Sequence, residues 1–593
     1  MCGIIACRTD RSAVEYLRIG LRRLEYRGYD SVGIAVRDAD GQLVRLRTTG
    51  RTAALDHLLD IRSDQRFGGS GIGHTRWATH GSVTERNAHP HLDCTGEISV
   101  VHNGIIENAA QLRVELQSAG HFFSSDVDSE VLCHLIEDER RIDGDLTQAV
   151  QKALVRAEGS WAIAVLDGVS GRIVVAAQGS PLLVAHTELG VFAASDIAAI
   201  ADWANDFRVL DDGDVVDLCN GGAWFDAEDS ASVPTLRRRL WTGGDVDLTG
   251  YADYMSKEID EQPALAERLL DAVADTIADG TLWRKTGLPA FGRLKVLGCG
   301  TSLNAGSVIG NLVRSLGGIP VTSVVASEAA TEIPEPHQLC LAMSQSGETA
   351  DVLRALEFRG GAPVLALTNN THSTLARLAD ATVGCAAGPE IGVAATKTFL
   401  AQVITGAALM MSALVASHRL PSAEAADLVD EMRRLPDQLA AACTQARRAV
   451  PRLVDELVAA DGFVFIARGA SLPYAAEGAL KLKELTYLWA EHCPAGELKH
   501  GPLALISPGT PVVVVDNGES KLAGNIAEVS ARGARVVTIG PRGSTIPIES
   551  IKGAAWGPVA ATLPLQVLAR DLASALGRDV DKPRNLAKSV TVE

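Results

Sequence analysis

The chain begins Met1-Cys2-Gly3. Removal of the initiator leaves Cys2 as the first residue, with a thiol and an α-amine on one amino acid. An α-amine titrates at about 7.7–8.0, so at neutral pH it can take the thiol proton, directly or through a water. That makes the thiol a self-activated nucleophile. A nucleophile needs groups that hold its substrate and stabilise the charge it creates. Arg76 ends an apolar run, and its guanidinium can grip a carboxylate through two parallel hydrogen bonds. Asn103-Gly104 sets a side-chain amide beside a backbone N–H, a pair able to face a developing oxyanion; alone, Asn-Gly is more often a turn. Asp128, in Ser124-Ser125-Asp126-Val127-Asp128-Ser129-Glu130, can accept a substrate amine or cap a helix, and by itself the cap is the simpler reading.

A second group lies further on. Gly298-Cys299-Gly300-Thr301-Ser302 and Ser344-Gln345-Ser346-Gly347-Glu348-Thr349 each follow a short apolar run. Glycines let backbone approach a ligand, and hydroxyls with free N–H groups suit phosphate. The first is no dinucleotide fingerprint, because its spacing misses G-x-G-x-x-G. Lys481 and Glu484 stand three apart on one helical face, where each tunes the other's pKa. His500 follows in Glu497-Leu498-Lys499-His500-Gly501-Pro502. A carboxylate and a histidine around one sugar are what aldose–ketose isomerisation needs: one shuttles a proton between C1 and C2, the other opens the ring. The plainer alternative for Lys481 and Glu484 is an exposed ion pair contributing roughly a few tenths of a kcal/mol.

Such groups need a rigid frame. Residues 1–240 hold short β-type runs at 2–7, 31–36, 71–75, 98–102, 161–166 and 172–177, with amphipathic helical stretches at 12–25 and 129–139. This mixture predicts an α+β layered domain. After Arg237-Arg238-Arg239 comes a Gly- and Thr-containing passage, and the boundary is placed near residue 241. Beyond it, Val/Leu runs deliver polar loops at 294–302, 339–349 and 363–370, then again at 463–471, 511–520 and 535–540. That repeated grammar predicts two doubly wound α/β subdomains joined by a helical stretch over 422–457.

Bulk properties narrow the classes. A length of 593 residues allows about four domains, and 47% hydrophobic with 22% charged residues is the profile of a folded chain. A net charge of −18 argues against a nucleic-acid or membrane-surface role. Ten cysteines without a Cys-x-x-Cys pair predict neither a disulfide framework nor a zinc site. Residues 399–418 approach the ~20 apolar residues of a membrane span. Gln402, Thr405, Ser412 and Ser417 interrupt them, and no companion span exists, so a buried core helix is expected. The start MCGIIACRTDRS has no basic segment followed by a long apolar one, which makes the cytoplasm the expected compartment.

Taken together and in order, Met1-Cys2-Gly3-Ile4, Arg27-Gly28-Tyr29-Asp30-Ser31, His74-Thr75-Arg76-Trp77-Ala78-Thr79-His80-Gly81, Asn87-Ala88-His89-Pro90-His91, His102-Asn103-Gly104 and Asp128-Ser129-Glu130 resemble the N-terminal-nucleophile glutamine amidotransferase domain. The resemblance implies a layered αββα fold in which Cys2 attacks the glutamine side-chain amide. It gives Arg76 the α-carboxylate, Asp128 the α-ammonium, and Asn103 and Gly104 the oxyanion hole. Thr79 and His80 join the pocket, and Trp77 gates ammonia release.

Residues 298–302 and 344–349, Glu390-Ile391-Gly392-Val393-Ala394, Thr396-Lys397, and residues 477–503 and 581–593 extend the likeness. Over its whole length the chain resembles the family of isomerising glutamine–fructose-6-phosphate aminotransferases. This implies that Thr301, Ser302, Ser344, Gln345, Ser346, Thr349 and Ala587 bind the sugar phosphate, that Val393 and Ala395 line the sugar site, and that Lys481 and Glu484 contact the sugar. Lys588 would form a Schiff base with the open-chain ketose, its amine made available by desolvation or by a cation such as Lys582, Arg584 or Lys481. The implied limits are 2–240 for the glutaminase domain, 241–257 for a linker, 258–421 and 458–580 for the isomerase subdomains, 422–457 for their helical connection and 581–593 for an active-site tail. L-glutamine and fructose 6-phosphate are the implied substrates, glucosamine 6-phosphate the product that opens hexosamine biosynthesis, and a homodimer the implied assembly. No metal, nucleotide or organic cofactor is implied, nor a nucleic-acid or membrane partner. The chain departs from the family pattern at Ser129 for a Thr, Leu303-Asn304 for an aromatic and a His, Ala395 for a Ser, and Cys493-Pro494. A sugar-phosphate sensor would dispense with Cys2, Glu484, His500 and Lys588, and all four are present. A different sugar-phosphate amidotransferase or a deglycase would share the phosphate loops.

Overall fold

The computed structural model describes residues 2–62, 64–78, 81–219, 223–227, 230–231, 233–239, 241, 243–549 and 554–591. It divides into two compact units, Met1–Asp247 with Ala587–Glu593, and Leu248–Leu586. The end of the stretch expected as a linker is helical, since the helix Tyr254–Asp260 already belongs to the second unit. The helix starts there because Asp253 accepts the Ser256 N–H at 2.7 Å, while Asp581 accepts the Tyr254 and Met255 N–H groups, both at 2.9 Å.

The strand Gly3–Thr9 shows how the first unit is layered. Side chains of a strand alternate between faces. Ile5 and Cys7 pack on Ala13, Leu17 and Leu21 of the helix Ala13–Leu24, whereas Ile4 and Ala6 pack with Val101, Ala162 and Ala164 of a second sheet. The first sheet has eight strands and the second six. Val131, Ile136 and Val150, on the helices Glu130–Asp143 and Leu146–Val155, pack against Val100, Ile163 and Val165 on the far side of the second sheet. Helix, sheet, sheet and helix follow one another, the αββα arrangement. Register then fixes the chemistry: Gly3 lies opposite Thr75 on the antiparallel strand Phe67–Arg76, which brings Cys2 beside the residues that follow that strand.

The second unit holds two five-stranded parallel sheets. In spatial order the first runs Val321–Val325, Arg293–Gly298, Gln338–Ser344, Val364–Thr368, Ala381–Gly384. The second runs Trp489–Pro494, Gly462–Ala467, Pro511–Val515, Arg535–Gly540, Ile546–Pro547. Strands covered on both faces read as continuous apolar runs, and every residue of Gln338–Ser344 and Pro511–Val515 is buried. In both sheets the chain's first strand lies between its second and third. A strand order of this kind has its topological switch point between the first and third strands, where loops at the carboxyl ends form a crevice. In the first sheet those loops are 298–302 and 344–349. The helix Lys397–Ala416 is long and apolar enough to cross a membrane, yet it lies in the core of this unit with only Ala416 not fully buried. The connection between the sheets is two helices, Ser422–Met432 and Leu435–Leu457.

Candidate active site

Cys2 is partly buried at the head of its strand. Gly3 must follow it, because a Cβ there would stand 2.6 Å from Thr75 Oγ1 and 2.7 Å from Leu24 Cβ. The Trp77 N–H donates to the Cys2 sulfur at 3.3 Å. Burial pushes the thiol pKa up, while the Trp77 N–H and the Arg76 guanidinium pull it back. Asp30 gives its N–H to Arg76 O at 3.0 Å and accepts the Ala78 N–H at 2.9 Å. Gly28 permits that approach, since a Cβ would sit 2.7 Å from the Arg76 carbonyl carbon. Tyr29 meets Trp77 edge to face at 5.3 Å. Arg76 is 3% exposed; burial lowers its pKa, and the charges of Cys2, Asp30 and Asp128 oppose that shift.

Asn103 is positioned by a residue whose role the sequence did not reveal. His74 Nε2 lies 3.0 Å from His102 O and 3.1 Å from Asn103 Oδ1. A carbonyl only accepts, so His74 Nε2 carries the proton. The amide oxygen of Asn103 therefore faces His74, and its nitrogen donates to Cys2 O at 3.0 Å. His102 repeats the logic: Nε2–H donates to Ser160 O at 3.3 Å, and Nδ1 accepts the Ser129 hydroxyl at 2.8 Å. Ser129 thus keeps the hydroxyl contact expected of a threonine. Burial holds the pKa values of His74, His89, His91 and His102 down, those of His74 and His91 at about 3. The four rings are neutral at pH 7. Gly104 has φ +131°, and a Cβ would meet Ser160 O at 2.1 Å.

Asp128 does not cap the helix that follows, contrary to the simpler reading of its surroundings. Its Oδ2 accepts the Ile106 N–H at 2.9 Å, which ties it to the strand carrying Asn103. Glu130 instead folds back to the Ser124 and Ser125 N–H groups, both at 2.7 Å. Thr79 and His80 lie outside the described residues.

In the second unit the pieces around the switch point converge. Ser344 Oγ and Thr349 Oγ1 are 2.8 Å apart, and Ser344 Oγ accepts the Gly347 N–H at 3.0 Å. Ser346 Oγ accepts the Glu348 N–H at 3.1 Å, and Gln345 O accepts the Asn369 N–H at 3.1 Å. Gly347 has φ +69°, and a Cβ would lie 1.9 Å from Ser373 Oγ. Ser302 Oγ accepts from Gln402 Nε2 at 3.0 Å, so that residue of the apolar helix positions the Ser302 hydroxyl. Thr301 Oγ1 donates to Glu477 Oε1 at 3.0 Å, and Asn304 Nδ2 donates to Oε2 at 2.8 Å.

Lys481 is no surface residue. Its side chain is 1% exposed, with Glu484 at 2.5 Å and Glu477 at 3.7 Å. Burial opposes its charge, but Glu484 and Glu477 outweigh it and hold its pKa above the ordinary value. Burial pushes Glu477 up, against the pull of Lys481 and Asn304. Val393 is buried, Ala395 partly so, in a loop that Glu258 and Glu390 secure from inside. Glu258 accepts the Ile391 and Gly392 N–H groups at 2.5 and 3.1 Å, and Glu390 those of Thr396 and Thr398, both at 2.9 Å. The Val393 N–H donates to Asp581 O at 2.9 Å, which docks the start of the C-terminal tail on this loop. Cys493 is a core residue, packed with Ala495 and Leu498.

One expected participant stands apart from these contacts. His500 is exposed in the 3₁₀ turn Ala495–His500, and among the described residues no hydrogen bond or ion pair joins it to Lys481 or Glu484. Ala587 and Lys588 group with the first unit.

Known proteins match both units. The glutamine amidotransferase domain matches residues 74–202, and the SIS domain matches residues 291–412 and 456–546. Glutamine–fructose-6-phosphate aminotransferase (isomerizing) of Halobacterium salinarum is 42% identical over 612 residues, covering 100% of both chains. Those of Pseudomonas aeruginosa and Thermus thermophilus are each 40% identical, over 625 and 624 residues, with the same coverage. Among solved structures, the C-terminal domain of glucosamine-fructose-6-phosphate aminotransferase from Francisella tularensis is 31% identical with a TM-score of 0.53, covering 57% of this chain and 100% of that one. The chain belongs to the family of isomerising glutamine–fructose-6-phosphate aminotransferases.

Proposed function

We propose that this protein moves the amide nitrogen of L-glutamine to D-fructose 6-phosphate and isomerises the product to D-glucosamine 6-phosphate, the entry to hexosamine biosynthesis. The observation that carries the glutaminase half is the Cys2 thiol beside the Trp77 N–H, with Arg76 and the oriented Asn103 amide next to it. Once Met1 is removed, the Cys2 α-amine takes the thiol proton. The thiolate attacks the glutamine amide carbon, ammonia leaves, and water hydrolyses the thioester to glutamate. Arg76 binds the α-carboxylate and Asp128 the α-ammonium. Asn103 and Gly104 stabilise the oxyanion. Thr79 and His80 complete the pocket, and Trp77 gates the departing ammonia. An internal route to the second site keeps ammonia from protonation in bulk water.

At the second site Thr301, Ser302, Ser344, Gln345, Ser346, Thr349 and Ala587 hold the sugar phosphate, and Val393 and Ala395 line the sugar. His500 opens the ring and Lys588 forms the Schiff base with the ketose carbon, which ammonia then displaces. Glu484, steadied by the Lys481 ammonium, takes a proton from C1 and returns one to C2. Residues 2–240 act as the glutaminase, 258–421 and 458–580 as the isomerase subdomains joined by 422–457, with 241–257 as linker and 581–593 as the tail. The chain works as a cytoplasmic homodimer.

The test is incubation with glutamine and fructose 6-phosphate, followed by mass-spectrometric identification of the amino sugar. Cys2→Ala should abolish glutamine-dependent amination and leave isomerisation of fructose 6-phosphate measurable. Amination that survives in Cys2→Ala refutes the nucleophile, and glutamate without a hexosamine phosphate means a different acceptor.

A further inference from the structure

Away from the glutamine pocket, four side chains of the first unit bring one potential ligand atom each within 4.8 Å of one another. Cys94 lies on the turn between the strands His91–Leu92 and Ile98–Ile106. His121 follows the helix Ala109–Ser118, and His134 and Glu137 lie on the helix Glu130–Asp143. Both imidazoles and Glu137 are buried, whereas Cys94 is at the surface. Cys94 Sγ is 3.4 Å from His121 Nδ1 and 3.5 Å from His134 Nδ1. Glu137 Oε2 is 3.1 Å from His121 Nδ1 and 3.4 Å from His134 Nδ1. Zinc binds sulfur at about 2.3 Å and imidazole nitrogen or carboxylate oxygen at about 2.0–2.2 Å. At tetrahedral angles, those lengths separate neighbouring ligand atoms by about 3.3–3.6 Å. Three of these four spacings fall in that range and the His121–Glu137 one is slightly shorter, so small side-chain shifts would seat a four-coordinate ion.

The surrounding hydrogen bonds point the same way. His121 Nε2 lies 2.9 Å from Asp138 Oδ1. When that nitrogen carries the proton of a neutral ring, Nδ1 is a bare lone pair facing the Glu137 carboxylate, a repulsive contact unless a cation sits between them. The carboxylate–histidine pair is also the usual support of a metal-bound imidazole. His134 is 0% exposed, and its Nε2 has no hydrogen-bond partner, Glu130 Oε1 being 3.9 Å away. The remaining oxygen of Glu137 is paired with Arg141. Cys94 Sγ receives the Phe122 N–H at 3.5 Å, a contact that favours the thiolate.

We infer that Cys94, His121, His134 and Glu137 form a structural binding site for a divalent, borderline-soft cation of the zinc class. Binding replaces the Cys94 thiol proton, which passes to solvent. Thiolate and carboxylate then neutralise the two charges of the metal. All four positions are filled by protein, the pattern of a structural site and not a catalytic one. The site would fasten the turn before the strand of Asn103 to the helix that follows Asp128, and so brace two edges of the glutamine pocket. Chain spacing hides it, because the ligands come from a turn, a loop and a helix far apart in sequence.

The experiment uses the full chain, stripped with a chelator and then titrated with zinc or cobalt. The expected results are one tightly held equivalent by elemental analysis and, with cobalt, a thiolate charge-transfer band in the near ultraviolet with tetrahedral visible bands. Cys94→Ser should remove the charge-transfer band, and Glu137→Gln should weaken binding at least tenfold. Zinc should raise the unfolding midpoint of the first unit by several degrees, and Cys94→Ser should abolish that rise. Cys2→Ala should leave the spectrum unchanged. Binding of less than a tenth of an equivalent overturns the site. So does a spectrum indifferent to Cys94→Ser, which places the metal elsewhere.

Discussion

Lowering the pH from about 7.5 to about 5.5 should weaken the first unit far more than the second. His74, His89, His91 and His102 are each 4% exposed or less, and burial lowers all their pKa values. Arg76 faces His74 and His89, Arg45 and Arg47 face His91, and these cations add to the shift, while Glu130 opposes it at His91. In the unfolded chain a histidine binds its proton near pH 6.5. Below that pH the unfolded state gains protons that the native state refuses, so stability falls as pH falls, down to the native pKa. For a group moving from about 6.5 to about 3, the loss between these two pH values is about 1.4 kcal/mol. His74 and His91 together lose about 3 kcal/mol, and His89 and His102 act in the same direction. At a urea slope of about 2–3 kcal/mol/M this moves the midpoint by about 1 M or more. Carboxylates with depressed pKa values, such as Glu130 and Asp196, keep their contribution until the pH drops below the ordinary carboxylate range, so they do not enter this window. In the second unit His492 is also held low, but it lies on an exposed edge strand. Urea series at both pH values, sampled by a brief methanethiosulfonate pulse at a common pH, can be read at Cys7 in the first unit and Cys385 in the second, both buried. Equal shifts of the two midpoints would refute the neutral-histidine account.

Two substitutions test the second unit. Lys481→Met leaves Glu477 and Glu484 without their buried cation; it should destabilise that unit by about 3–5 kcal/mol and remove isomerase activity while glutamine hydrolysis continues. Wild-type isomerisation in that variant would exclude Lys481 from the sugar site. Gly347→Ala forces a Cβ against Ser373 Oγ at a backbone angle side chains disfavour. It should raise KM for fructose 6-phosphate at least tenfold and leave KM for glutamine unchanged; an unaltered sugar KM would show that residues 344–349 do not hold the phosphate.

What the sequence made legible was whatever depends on local order. The β-type run at 2–7 was enough to mark the strand that follows Cys2, and Val/Leu runs ending in hydroxyls located the switch-point loops. Lys481 and Glu484 were legible as a helical pair because three residues is a helical spacing. Their burial was not, since it depends on Thr301 and Asn304 folding over Glu477 from a helix more than a hundred residues earlier. His74 was visible as the head of a motif, but its task of turning the Asn103 amide toward Cys2 depends on a carbonyl of another strand. Glu258 carried no signal, and Glu390 only that of the first residue in a family-like run. They hold the 391–398 backbone by accepting N–H groups, and such a role leaves no spacing rule for the accepting side chain. The cap reading that Asp128 suggests on its own fails for the same reason: its partner, Ile106, comes from a strand that no local pattern brings to it.

The two candidate sites solve opposite electrostatic problems, and this explains which neighbours each can tolerate. Near Cys2, burial already raises the thiol pKa and lowers that of Arg76. An imidazolium at His74 would repel Arg76 and would have to enter a site with no water to solvate it. Neutral rings linked by single hydrogen bonds orient Asn103 without adding charge. Around Lys481 the need is reversed, because a buried ammonium survives only beside carboxylates. Glu477 must stay available to it, so its other partners have to be donors that bring no net charge. Thr301 and Asn304 are such donors. A histidine at 304 can offer the same hydrogen bond but competes for Glu477 as a cation when protonated. Asn304 keeps the bond at every pH, so this departure removes a titrating group from beside the Glu477–Lys481–Glu484 cluster while leaving its geometry intact.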